Sequence, residues 1–289
     1  MVQFKIMDGA MGSELIQRGL TLPNHIWSAG ANIENPNIVQ KIHKEYVDAG
    51  ADYITCNTFR TTPRMYLKTD IDYEHSIHMA KHSLLHAVKH AKNASTASVN
   101  IIGSIAPLED CYKPELFPGK DVAIAEFYQL GKWLADSGVD ILLLETMNSI
   151  AETEAGLIGI ENFGLPVWVS FVLKDESCLL SGDSLVDMFE MIKSYSVDCI
   201  MLNCNPLNRT KIAVDIFVDN CPNKWGVYPN LGIGEPSSYG NIHFHEEINY
   251  FISTMEKIFE KGASILGGCC GSSPEHISRL FELRKKICL

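Results

Sequence analysis

The sequence predicts an α/β fold, a single (β/α)8 barrel over residues 1–289, and three observations predict it. Eight short apolar runs of strand length recur along the 289-residue chain. Longer segments with helical spacing lie between them. Four of the runs follow a glycine placed where a preceding helix must stop, in "AGADY", "SGVD", "FGLP" and "KGAS". The competing architecture is a doubly wound parallel sheet. It ranks below the barrel because the strand count reaches eight and no nucleotide-binding fingerprint is present.

Taken in order, the first run is residues 4–8 ("FKIMD"), which ends on Asp8. A helical pattern at 36–49 leads into the second run, 52–57 ("DYITCN"), ending on Asn57 with Thr58 next. The third, 99–105 ("VNIIGSI"), brings Ser104 and precedes a helical pattern at 122–137. The fourth, 140–146 ("DILLLET"), carries Glu145. The fifth, 166–171 ("PVWVSF"), brings Ser170 and is followed by a helical pattern at 184–195. The sixth, 198–204 ("DCIMLNC"), closes on Asn203 and Cys204. The seventh, 224–229 ("KWGVYP"), brings Tyr228 and leads to Asn230, ahead of a helical pattern at 245–261. The eighth, 263–269 ("ASILGGC"), ends on Cys269 with Cys270 adjoining. The closing helix, 274–287, has Pro274 at its first position and a serine ahead of it as cap. A barrel keeps its chemistry at the C-terminal ends of its strands, and these end residues are too polar and reactive for a packed interior.

Composition narrows the function. The net charge of −11 argues against a nucleic-acid partner, because phosphate binding needs clustered Lys and Arg. A small molecule fits better. No uninterrupted apolar run of about 18 residues occurs, so no membrane association is expected. The start of the chain, "MVQFKIMDGAMGSEL", does not read as a signal peptide, and a cytoplasmic location is expected. Nine cysteines, an odd count scattered along the chain, suggest reduced thiols rather than a disulfide framework.

In a barrel, Cys204 from the sixth strand and Cys269 with Cys270 from the eighth can meet in one mouth. Three protein ligands with an open fourth position make a catalytic zinc site. The alternatives are plain packing for Cys204, and core thiols or a vicinal disulfide for the pair. Glycines on both sides of Cys269-Cys270 permit a backbone bend and favour the metal. Asp8 or Ser13 could instead cap the first helix. Glu145 could pair with a buried Arg or Lys, but its place in the mouth favours substrate binding. His75, His78, His82, His86 and His90 follow helical spacing and read as a solvated helix face. No GxGxxG, GxxxxGK[ST] or GxSxG motif occurs.

The segments "DGAMGSEL", "AGADYITCNTF", "LLLET", "NC" at 203–204, "VYPN" at 227–230 and "GGCCGSSPEHI" resemble, in order and spacing, the homocysteine S-methyltransferase family. That family shares its barrel with betaine–homocysteine methyltransferase and with the homocysteine module of cobalamin-dependent methionine synthase. The resemblance covers essentially the whole chain. It implies that Cys204, Cys269 and Cys270 hold Zn2+, and that Asp8 and Glu145 hold the amino group of homocysteine. Asn230 is implied as a weak fourth ligand when substrate is absent, and Thr58 and Ser170 are expected to line the same cavity.

Zinc takes the place of the thiol proton, which a free thiol with a pKa of about 8.5 mostly keeps at neutral pH. The chain is short for the folate and cobalamin modules of methionine synthase or the extension of the betaine enzymes. The expected methyl donor is therefore a sulfonium, S-methylmethionine or S-adenosylmethionine. Two loops depart from the family pattern, "GSIAPLEDCYKPELFPG" at 103–119 and "NCNPLNR" after the sixth strand. Two further readings stand beside this one: a detached homocysteine module taking methyl from a separate cobalamin-carrying protein, and a zinc or thiol barrel without turnover.

Overall fold

The computed structural model describes residues 3–221, 223–233, 242 and 244–287. Eight parallel strands form one sheet. In chain order they are β1 (Lys5–Ile6), β2 (Tyr53–Thr55), β3 (Asn100–Ile105), β4 (Ile141–Met147), β5 (Val167–Phe171), β6 (Cys199–Pro206), β7 (Lys224–Asn230) and β8 (Ile265–Leu266). Each strand ladders onto its sequence neighbour, and β8 pairs with both β7 and β1. The ring closes between β1 and β2 through a Met7–Tyr53 bridge and the Asp8 N–H, which donates to the Tyr53 carbonyl at 3.0 Å. The expected barrel is borne out.

One helix of the outer layer follows each strand. These are α1 (Pro36–Asp48), α2 (Tyr73–Ala94), α3 (Lys120–Asp136), α4 (Ile150–Ile160), α5 (Leu185–Ile192), α6 (Leu207–Asn220), α7 (Ile248–Glu260) and α8 (Pro274–Ile287). The stop glycines do what their position predicts. Gly50, Gly138, Gly164 and Gly262 all have positive φ, between 69° and 105°, where a side chain is disfavoured.

Strand parity sorts the apolar residues into two cores. Ile102, Ile141, Leu143, Trp168, Cys199, Met201 and Ile265 point inward and fill the barrel. The alternate residues, such as Leu142, Leu144, Val169, Ile200 and Leu202, face the helices in a second, larger core. The same parity carries Ser104, Glu145 and Ser170 to the inside, one step further along the strands. A polar layer therefore sits on the apolar one at the C-terminal mouth.

Three expectations need correction. The histidines of α2 are not one solvated face: His75 and His78 are exposed, His82 and His86 half-buried, and His90 is buried with Nε2 2.9 Å from the Asn32 carbonyl. A four-residue repeat drifts by roughly 40° per step on a helix of 3.6 residues per turn. The stripe therefore winds from solvent at His78 to the α1 side at His90. Ser273 does not cap α8 with its hydroxyl in the expected way. Instead its N–H donates to His276 Nδ1 at 3.2 Å, and its Oγ lies 3.0 Å from the same nitrogen. β8 spans Ile265–Leu266 only, shorter than the expected run, although the Gly267 N–H still donates to the Val227 carbonyl at 3.0 Å and the Gly268 N–H to the Asp8 carbonyl at 3.3 Å.

No helix among the described residues is long and apolar enough to cross a membrane.

Candidate active site

Two strands slip register at the mouth, β4 between Leu144 and Met147 and β6 between Asn203 and Pro206. At each slip a residue other than glycine takes left-handed backbone, Thr146 at φ 62° and Cys204 at φ 55°. Such a conformation is costly and needs surrounding structure to hold it. Asn205 supplies part of that structure: its Oδ1 accepts the Leu173 N–H at 2.7 Å and its Nδ2 donates to the Phe171 carbonyl at 3.0 Å. The slip matters because Asn203, not Cys204, has the inward parity. The bend turns Cys204 back into the mouth.

The glycines around Cys269-Cys270 do related work. A side chain at Gly268 would place its Cβ 2.5 Å from the Ser272 Cβ, and Gly271 has φ of 80°. The corner is tied to β7 on both sides. The Cys269 N–H donates to the Pro229 carbonyl and the Leu231 N–H to the Cys270 carbonyl, each at 2.8 Å. The Sγ atoms of Cys204 and Cys270 lie 3.7 Å apart and those of Cys269 and Cys270 4.0 Å apart, with all three within 4.8 Å of one another. All three are free thiols, so the pair forms no vicinal disulfide. Hydrogen bonds from Cys269 and Cys270 hold the Cys204 thiol well below its ordinary pKa, and the same sharing pushes those two up.

Asp8 is buried, and both its oxygens are engaged by Thr55: Oδ2 accepts the N–H and Oδ1 the hydroxyl, each at 2.9 Å. Burial nevertheless pushes its pKa up to about 8, and Glu145 adds to the rise. Glu145 accepts the Ser104 hydroxyl. Burial raises it to about 7 against the pull of that hydrogen bond. Neither acid has a Lys or Arg partner among the described residues. Asp8 does not cap the helix Gly12–Gln17, and Ser13 does not either, since its Oγ accepts the Gly271 N–H at 3.1 Å. Two carboxyls held in a low-dielectric site without a counter-charge are matched to an incoming cation.

A cavity of about 880 Å3 opens over these groups and is lined by Asp8, Glu145, Cys204, Asn230, Cys269 and Cys270 among others. Asn230 already accepts the Gly232 N–H at 2.8 Å through its Oδ1. Ser170 lies beneath the lining, its Oγ 2.6 Å from the Tyr228 hydroxyl and accepting the Thr146 N–H at 3.2 Å. Thr58 does not reach the cavity. Its hydroxyl donates to the Ser104 carbonyl at 2.7 Å, and the preceding residue, Asn57, lines the wall instead.

Sequence reading missed Tyr112, whose hydroxyl lies 3.5 Å from Cys204 Sγ. The loop after β3 carries it across the mouth and is fixed at three points. The Leu108 N–H donates to Glu152, Arg60 donates to the Glu109 carbonyl (both 2.8 Å), and Asn148 donates to the Cys111 carbonyl at 3.1 Å. Trp27, Phe59 and Arg209 also line the cavity unforeseen. For Tyr112 and Arg209 the departure of the two segments from the family pattern was the available signal, but it did not say which side chains would face inward; Trp27 and Phe59 carried no such signal.

Known proteins share this arrangement of strands and this chain's length. The homocysteine S-methyltransferase of Escherichia coli (strain K12) is 27% identical over 293 residues, covering 95% of this chain and 93% of that protein. The selenocysteine methyltransferase of Astragalus bisulcatus is 26% identical, covering 96% of this chain and 91% of that protein. The metallated form of the homocysteine methyltransferase MmuM from Escherichia coli superposes with a TM-score of 0.84 at 25% identity, covering 97% of this chain and 96% of that one. The family model described as homocysteine S-methyltransferase matches residues 5–283, and the chain belongs to that family.

Proposed function

We propose that this chain transfers a methyl group from a sulfonium donor to the sulfur of homocysteine, at a zinc ion held by Cys204, Cys269 and Cys270. The observation that carries the proposal is the meeting of three thiols and two cation-seeking acids in one cavity. The thiol spacing suits the ion. Tetrahedral zinc with Zn–S bonds of about 2.3 Å sets its sulfurs roughly 3.8 Å apart. Two of the three pairs, at 3.7 and 4.0 Å, match that edge, and the third closes within 4.8 Å. Three thiolates also suit a soft, non-redox cation better than oxygen-seeking ions such as magnesium. When bound, zinc supplies a Lewis acid that keeps the homocysteine sulfur as thiolate at neutral pH.

The remaining work falls to the chain. Asp8 and Glu145 receive the homocysteine ammonium and, once ionised, orient the amino acid with its sulfur toward the cysteines. Ser104 and Thr55 hold the two carboxyls in place. The walls exclude water and fix the donor sulfonium in line with the thiolate. The thiolate's lone pair forms the new S–CH3 bond. The donor's S–CH3 bond breaks, and its electron pair stays on the donor sulfur, which leaves as a neutral thioether. One negative and one positive charge are consumed together, so a desolvated anionic site favours this donor class.

The test is methionine formation by zinc-loaded, reduced protein given homocysteine with S-methylmethionine, S-adenosylmethionine or betaine. Turnover with a sulfonium supports the proposal. No turnover with any of the three, in protein holding one zinc per chain, overturns it and turns attention to a methyl-carrying protein.

A further inference from the structure

Asp8 has a cationic side chain across the mouth from it, and Glu145 stands on β4 between the two. In the ring of eight strands the rim at β5 and β6 faces the rim at β1 and β2. Asp8 lies two residues past β1 and is bonded to Thr55 on β2. On the facing rim stands Arg209, in the first turn of α6, five residues beyond Cys204. Its Nη1 donates to the Leu173 carbonyl, just past β5, at 3.0 Å, and its Nε is buried with no acceptor. A guanidinium carries five N–H donors. Here one of them has a described acceptor, and no carboxylate among the described residues pairs with it. Arg209 nevertheless lines the cavity.

The other arginine of the lining is already spent. Arg60 donates to the Glu109 carbonyl at 2.8 Å and the Met65 sulfur at 3.4 Å, and it stacks on Phe59. Arg209 is the under-satisfied cation facing the cavity among the described residues.

We infer that Arg209 binds the carboxylate of the methyl donor, so that the site selects sulfonium donors that are also amino acids. The inference rests on the sulfonium reading above. With the homocysteine ammonium held by Asp8 and Glu145 and its sulfur at the thiolates, the carboxylate of the second substrate falls to the β5–β6 rim, where Arg209 stands. There a planar fork fixed at one end by Leu173 presents its remaining donors to a carboxylate. The anionic centre draws the sulfonium, Arg209 draws the carboxylate, and the two together set the methyl group's direction.

The experiment compares S-methylmethionine with trimethylsulfonium, which has the same reacting centre and no carboxylate, in the unaltered zinc enzyme and in Arg209→Met and Arg209→Lys. Arg209→Met is expected to raise the KM for S-methylmethionine by about 10- to 100-fold, the range for losing a charge-assisted hydrogen-bonded pair. Its kcat/KM with trimethylsulfonium, its KM for homocysteine and its zinc content stay within about twofold of the unaltered enzyme. Arg209→Lys, which keeps the charge and loses the fork, falls between the two. Equal loss on both donors, or no loss on either, overturns the inference while leaving the sulfonium reading intact. Failure of the unaltered enzyme with both sulfonium donors overturns that reading, and this inference with it.

Discussion

Cys199 and Cys204 stand on the same strand, five residues apart, and differ in almost every chemical respect. Cys199 starts β6 with inward parity, packed among Trp168, Met201 and Ile141. Burial pushes its thiol far up, out of reach of ionisation at neutral pH. Cys204 lies past the point where the strand loses register, on left-handed backbone, and its thiol is held down by hydrogen bonds from Cys269 and Cys270. Cysteine is inert or reactive according to its surroundings. Here one bend at the strand end separates the two conditions.

The largest effect should come from breaking that contrast directly. Cys204→Ala removes a metal ligand and is expected to lower methyl transfer by on the order of a thousand-fold or more. Cys199→Ala is expected to keep turnover and to lose about 1 kcal/mol of stability through the small cavity it leaves. Steady-state kinetics and urea unfolding on the two variants check both statements.

The next effect tests the two acids of the site. Glu145→Gln should weaken amino-acid binding by at least about tenfold, since it removes the charge that meets the ammonium. Methionine, which has no thiol to titrate, isolates this term in a calorimetric titration. Its affinity for the unaltered protein should rise as pH increases through the range set by Glu145 at about 7 and Asp8 at about 8, because both must ionise to hold the ammonium. The stability change has the opposite sense. A carboxyl whose folded pKa is raised contributes stability below its unfolded pKa and loses it as pH climbs through the folded one. Substrate-free Glu145→Gln should therefore match the unaltered protein near pH 4.5. Its advantage should grow up to about pH 7 and hold there at roughly 1–2 kcal/mol, discounted for the opening of Glu145 onto the cavity.

Two smaller effects sharpen the account of the bend. Asn205→Ala deletes both hydrogen bonds that brace the residue after Cys204. Zinc affinity, read by competition with a chelating dye, should fall by about tenfold, as for other groups that orient ligands from behind. Tyr112→Phe removes a hydroxyl from Cys204 Sγ and nothing from the fold. It should change activity by no more than about threefold, with melting temperature unmoved.

What the sequence made legible follows the range of the physics involved. Apolar runs and stop glycines are local signals, and every expected strand is present near its expected place. Glu145 was legible from its place at the end of the fourth apolar run, where a barrel opens its mouth. The residue types of the thiol cluster were legible as well, because "GGCC" announces a bend. The bend at Cys204 was not, since nothing in "LNCNP" says that Asn205 will reach back to Phe171 and Leu173. Thr58 was misplaced because a polar residue at a strand end can turn to a neighbouring carbonyl as readily as to a cavity. Tyr112 depends on where the long loop after β3 crosses the mouth, which is set by distant anchors such as Glu152, and the direction of Arg209 depends on the Leu173 carbonyl of the neighbouring strand's loop.

The central claim is that one end of β6 builds a metal centre and the other builds core. Zinc content of the purified, reduced protein, measured for the unaltered chain, Cys204→Ala and Cys199→Ala, tests it most directly. The account predicts one zinc per chain for the unaltered protein and Cys199→Ala, and far less than one for a folded Cys204→Ala. Full zinc in Cys204→Ala, or its loss from a folded Cys199→Ala, would contradict it.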